Sequence, residues 1–218
     1  MNYHLKPDMI EGIKKKKEKR KEGEQMLFAK PGIENTKATL EIAVSAAIEK
    51  DLDIVLASNT GDTVFALLEI AEEKGFHNRI VAITHAYGVK APGEIELSPA
   101  ARERLEAKGV GFVTAAHALS GGERGISKVF GGVYPVELIA AALRMWGQGV
   151  KVCVEIALMA LDHGAISYGK PVIAVGGSSR GADTCCILTP SYTAKLLDTK
   201  IHEVLCKPSL YEDGWQMK

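Results

Sequence analysis

The stretch DIVLASNTGDTVFALLEIA, residues 53–71, changes character twice. Ile54 to Ala57 is an unbroken apolar run, the mark of a strand buried on both faces. Six small polar residues follow, Ser58 to Thr63; then Val64, Leu67, Leu68 and Ala71 recur at helical spacing. In an open α/β sheet such a strand-to-helix corner lies at the carboxyl edge, where ligands sit. A helix start offers unpaired N–H donors and a partial positive charge. Gly61 lets a guest approach the backbone, and Ser58, Thr60 and Thr63 add hydroxyls. Together they make a cup for an anion, above all a phosphate. The alternative is a plain turn in which Asn59 or Thr60 caps the helix and no guest binds. Asp62 suits the helix dipole but repels a phosphate. Either it points away or it holds a sugar or ribityl hydroxyl.

Outward from this corner, strands and helices alternate. MLFAK (Met26–Lys30) reads as a short strand. NTKATLEIAVSAAIEK (Asn35–Lys50) reads as a helix with Leu40, Ala43, Val44, Ala47 and Ile48 on one face. RIVAIT (Arg79–Thr84) is a strand, and Ser98-Pro99 opens a helix as N-cap and first residue. VGFVT (Val110–Thr114) is the next strand, followed by a Gly-rich loop over 115–132 and a helix from Pro135 to Trp146. VKVCVEIALMALDHG (Val150–Gly164) is apolar on nearly all sides, hence a buried helix. PVIAVGG and TCCILTP are strands, and KIHEVLCKP (Lys200–Pro208) is expected at the sheet edge. Apolar strands alternating with helices imply a mostly parallel sheet covered on both faces, a three-layer α/β/α sandwich. Residues 25–218 read as one such domain. Residues 1–24 form a basic extension with eight Lys/Arg against five Asp/Glu, leaving −3 on the rest of a neutral chain. KKKKEKRK (Lys14–Lys21) suits either a solvated terminal helix or an arm for an acidic partner.

Three further polar segments fall near the same edge. Gly177, Ser178 and Arg180 follow PVIAVG, and an arginine fork is the natural partner of a phosphate. Ser120 and Arg124 lie in the Gly-rich loop with His117, Ser127 and Lys128, and a loop of that length inside a compact domain is more often functional than idle. KPGIENT places Asn35 and Thr36 at a helix start. Thr84 and His85 end the strand before them, so His85 is a candidate ligand contact or base. Each segment has a plainer reading as a solvent-facing turn. Glu155 and Asp162 sit on the buried helix, where Glu155 is expected to pair or face the rim.

The totals close off other classes. The chain has 218 residues, 46% hydrophobic and 25% charged, with a pI near 7.0, so no global charge favours nucleic acid. No apolar run is long enough to span a bilayer and no signal-peptide core is visible, which points to the cytoplasm. Cys153, Cys185, Cys186 and Cys206 have neither zinc nor redox spacing and read as reduced core thiols. No metal site, nucleophile elbow or Walker-type loop is present. The rim is equipped to hold a ligand more than to cut one.

AVSAAIEKDLDIVLASNTGDT, RIVAITH, VKVCVEIALMALDHGAI and PVIAVGGSSRGADTCCILTP, in that order, resemble the C-terminal domain of pyruvate kinase over residues 26–207. They resemble most the small archaeal proteins made of this domain alone. The resemblance implies a five-stranded mixed sheet of order 3-2-1-4-5, with TCCILTP as the antiparallel last strand. In regulated pyruvate kinases the domain holds a sugar bisphosphate, one phosphate in the loop matched here by Ser58, Thr60, Gly61 and Thr63, the other on an arginine similar to Arg180. Asn59 and Asp62 stand where the kinases carry basic residues, a departure from the bisphosphate pattern. The stand-alone relatives imply FMN as cofactor at this rim, since one phosphate and a ribityl chain suit a single cup with an acidic neighbour. The kinase's catalytic barrel is absent from this sequence, so no pyruvate kinase activity is expected. The 115–149 segment has no counterpart in the kinase domain and is expected to wall a different pocket. Pairing of pyruvate kinase subunits through this domain implies a homodimer by analogy. Two other functions stay open: a flavin-dependent or phosphate-ester enzyme using His85, His117 or Arg124, and a regulatory subunit.

Overall fold

The computed structural model describes residues 25–209. A single sheet of seven strands runs through it, in the order β1-β7-β6-β5-β2-β3-β4. The strands are β1 (Met26–Phe28), β2 (Ile54–Ala57), β3 (Ile80–Thr84), β4 (Gly111–Thr114), β5 (Val172–Gly176), β6 (Thr184–Thr189) and β7 (Lys200–Pro208). Between them lie α1 (Thr36–Lys50), α2 (Asp62–Lys74), α3 (Pro99–Glu106), α4 (Gly121–Phe130), α5 (Pro135–Arg144) and α6 (Gln148–Asp162). β2 pairs in parallel with β3 and β5, and β3 with β4. β6 runs antiparallel to both β5 and β7. The five strands β4-β3-β2-β5-β6 reproduce the expected 3-2-1-4-5 order.

Side-chain alternation along the strands builds two cores, one on each face. Ile54, Leu56, Ile173, Val175 and Cys185 join Leu40 and Val44 of α1, Val64 and Leu67 of α2, and Leu105 of α3. Val55, Ala174 and Cys186 join Leu119, Ala140 of α5, and Cys153, Ala157 and Leu158 of α6. The adjacent thiols Cys185 and Cys186 thus serve opposite cores, and all four cysteines are buried and unbridged. α6 is the central buried helix, as its all-round apolar sequence requires. Ser98 caps α3 by accepting the Ala101 N–H at 3.2 Å, with Pro99 at the first helical position.

Four expectations need correction. Among the described residues the sheet has seven strands, because β7 pairs with β6 and the short β1 then adds in parallel to β7. Lys200–Pro208 is therefore an interior strand, and Met26–Phe28 occupies the edge. The 115–132 loop contains α4, whose three glycines dilute the helical pattern. No residue of α4 is buried, and Val129 and Phe130 are 73% and 80% exposed, so its apolar side chains signal no core packing. Ile48, in the last turn of α1, is 44% exposed, outside the buried face formed by Leu40, Ala43, Val44 and Ala47. Among the described residues no single helix is long and apolar enough to cross a membrane. The basic segment 1–24 lies outside the described residues.

Candidate functional site

A cleft of about 840 Å³ opens at the carboxyl ends of β2, β3 and β5. Four helices start on it: Thr36 of α1, Asp62 and Thr63 of α2, Ser120 before α4, and Gln148 of α6 all line its wall. None of the four carries a side-chain N-cap, although the first N–H of α1 bonds the Ile33 carbonyl and that of α4 the His117 carbonyl. Their dipoles add partial positive charge around one space.

The opening corner is built as its residues dictate. Ser58 N–H bonds the Ile83 carbonyl at 3.0 Å and continues the β2–β3 ladder. Gly61 then takes φ 94° as the N-cap of α2, a left-handed turn that favours glycine. Neither Asn59 nor Thr60 caps the helix. Thr60 donates its hydroxyl to Asp62 Oδ2 at 2.8 Å, which ties that carboxylate to the loop. Among the described residues the hydroxyls of Ser58 and Thr63 have no protein partner, although Ser58 is only 6% exposed.

Opposite stands the β5–β6 turn. Asp183, almost fully buried, accepts from Ser178 N–H at 3.1 Å, Gly32 N–H at 3.3 Å and the Thr184 hydroxyl at 2.9 Å. Thr36 Oγ1 accepts the Ala182 N–H at 3.0 Å. These bonds hold Gly177, Ser178 and Arg180 against the start of α1, all facing the cleft.

The floor carries a polar chain. Asn59 Oδ1 accepts from the His85 backbone N–H at 3.1 Å, which orients its amide NH₂ toward His85 Nε2, also at 3.1 Å. Nε2 therefore accepts, and Nδ1 donates to Glu96 Oε2 at 2.8 Å. Lys90 pairs with the other oxygen of Glu96 at 3.4 Å. The His117 ring lies 5.2 Å from the His85 ring, centroid to centroid. Behind it Lys151 and Glu155 form an ion pair whose side chains are each 4% exposed. Glu155 also accepts the Leu119 N–H at 2.9 Å and stands 3.9 Å from His117 Nδ1. Burial lowers the His117 pKa below the ordinary histidine value. Glu155 works against this shift, and His85, Lys151 and Arg124 reinforce it. Burial lowers the Lys151 pKa too, against the stabilising Glu155.

Of the residues singled out in the sequence, Thr36, Ser58, Asn59, Thr60, Asp62, Thr63, Thr84, His85, His117, Ser120, Arg124, Gly177, Ser178 and Arg180 line this one cleft. Ser127 and Lys128 line an adjoining cavity instead, and Asn35 and Gly61 line neither. The Asn35 amide turns away to donate to the Lys30 carbonyl at 2.7 Å, and Gly61 is buried behind the loop, where a Cβ would meet Leu97 and Leu105. The sequence reading left out Arg144, Gln148 and Lys151 and gave Glu155 no chemistry. The visible signal was a Lys and a Glu four apart on an otherwise apolar helix, which demands a buried pair. Among the described residues no group of three His, Cys, Asp or Glu side chains is placed to hold a metal.

Fold and rim together define a three-layer α/β/α domain whose carboxyl rim is lined with hydroxyls and with Arg124, Arg144 and Arg180. The family model described as pyruvate kinase, alpha/beta domain, matches residues 37–188, more than two thirds of the chain. The chain belongs to that family.

Proposed function

We propose that this chain binds a phosphorylated small molecule at the rim, with FMN as the first choice. One observation carries the reading: the uncapped Ser58–Thr63 loop, with the Ser58 and Thr63 hydroxyls unpartnered among the described residues, opens into a cleft where Arg124, Arg144 and Arg180 likewise make no salt bridge among them. A phosphate on the loop takes the N–H groups and hydroxyls, and Arg180 supplies the opposing charge. The volume falls in the range of about 300–1,000 Å³ typical of small-molecule pockets. Asn59, Asp62 and Ser178 offer partners for ribityl hydroxyls, and Ile83, Val152, Ile156 and Met159 offer apolar wall for a flat ring. A bound flavin supplies hydride and electron transfer.

The test is an absorbance spectrum of freshly purified protein with a thermal melt in added FMN. At 100 times its Kd a ligand stabilises by about 2.7 kcal/mol. We expect flavin colour or that stabilisation, and a loss of either in Arg180→Gln. A colourless protein whose melting is unmoved by FMN overturns the reading.

A further inference from the structure

We propose that the cavity between α4, α5 and the first turn of α6 is a second anion site, which takes the phosphate of a phosphomonoester substrate or co-substrate. The cavity holds about 620 Å³ and shares Ser120, Arg124, Arg144 and Gln148 with the rim cleft, so a molecule anchored in one reaches the other. Among the described residues Arg124, Lys128 and Arg144 line it, against a single carboxylate, Glu137.

Each local carboxylate already has a hydrogen-bond or ion-pair partner other than the three cations. Glu123 accepts from the Val136 and Glu137 N–H groups at 2.9 and 3.2 Å and so caps α5. Glu137 accepts the Ser127 hydroxyl at 3.0 Å. Glu155 is taken by Lys151. Among the described residues none of the three cations has an ion-pair partner. Arg144 spends its Nε on Gln148 Oε1 at 2.8 Å, which orients the guanidinium and leaves its other donors for a guest. Three cations around one cavity repel one another, and an oxyanion relieves that repulsion. Two guanidinium groups, an ammonium and the Ser120 hydroxyl match the many acceptors of a phosphate better than the two oxygens of a carboxylate. This site stands whether or not the rim cleft takes FMN.

The test is calorimetric titration of the full chain, saturated with FMN, with inorganic phosphate and with phenyl phosphate at constant ionic strength. Both are expected to bind, with phenyl phosphate the tighter because its organic end reaches toward the cleft. Lys128→Gln is expected to weaken both by about tenfold, the loss of one charge-assisted contact. Lys195→Gln, the same charge change where the chain packs on the far end of α6, is expected to weaken neither. If the protein takes no FMN, the flavin reading fails and the same comparison on the FMN-free protein still decides this one. Absence of phosphate binding, equal effects of the two lysine changes, or phenyl phosphate binding no tighter than phosphate overturns the proposal.

Discussion

At the scale of single residues, Lys151 and Glu155 have most at stake. Two opposite charges on adjacent turns of a buried helix cost desolvation that only their mutual contact offsets. Glu155→Gln keeps an acceptor for the Leu119 N–H but leaves the Lys151 ammonium buried without a counter-charge. We expect a loss of about 3–5 kcal/mol of stability, seen as a lower urea midpoint at unchanged m-value. Replacing both by apolar residues, Lys151→Met with Glu155→Leu, is expected to cost less than the single change. A single-variant loss under about 1 kcal/mol would show the pair to be effectively solvated. The Ser58–Thr63 corner was legible in the sequence because its strand, turn and helix signals are contiguous. The Lys151–Glu155–His117 cluster was not, because Glu155 joins a helix to Leu119, 36 residues earlier, and to His117, and one sequence gives no distance between them.

At the scale of elements, the rim depends on how closely α6 sits on the sheet. Gly149, in its first turn, lies so near β6 that a Cβ there would fall 2.0 Å from Thr184 Oγ1 and 2.5 Å from Thr184 Cβ. Thr184 is fully buried and its hydroxyl is held by Asp183, so it has little room to give. On the facing strand a Cβ at Gly176 would stand 2.9 Å from the Gly149 carbonyl oxygen. The small residues let the start of α6 descend onto the strand ends, which brings Gln148 and Lys151 to the cleft. Gly149→Ala is therefore expected to destabilise by about 3 kcal/mol through overpacking, despite alanine's better helix propensity. Chemical denaturation checks it, and a stabilised variant would show that α6 shifts freely. Element order and the covering of both sheet faces followed from apolar runs and capping signals, whereas the order of the five central strands followed only from the resemblance to the pyruvate kinase domain. α4 did not, because its glycines and its outward apolar side chains give no core-facing stripe. Nor did the place of β7, because a strand's neighbours are set by pairing across the sheet and not by its own residues.

At the scale of the whole molecule, a formal net charge of zero at pH 7 leaves little global repulsion to drive a pH dependence. Groups whose proton affinity changes on folding then decide it. His117 is held below its ordinary value, first by burial. The unfolded chain takes up that proton near pH 6.5, about the ordinary histidine value, and the folded protein only at lower pH. Between the two the unfolded state binds more protons, so stability rises with pH. Acidification from neutrality should thus destabilise the protein through a window that opens near pH 6.5 and closes at the folded value. On the alkaline side Lys151 acts with the same sign. Cys153, whose thiol burial pushes well up, acts with the opposite sign, so the acid window is the clean one. We expect urea midpoints to rise from about pH 5 to about pH 7 and to rise less steeply in His117→Asn. An anionic guest in the cleft opposes the depression of His117, so phosphate or FMN should narrow the window in the parent. A parent protein more stable at pH 5 than at pH 7, or a variant with an unaltered slope, would show that His117 is solvated and that the cleft floor is wetter than its hydrogen bonds imply.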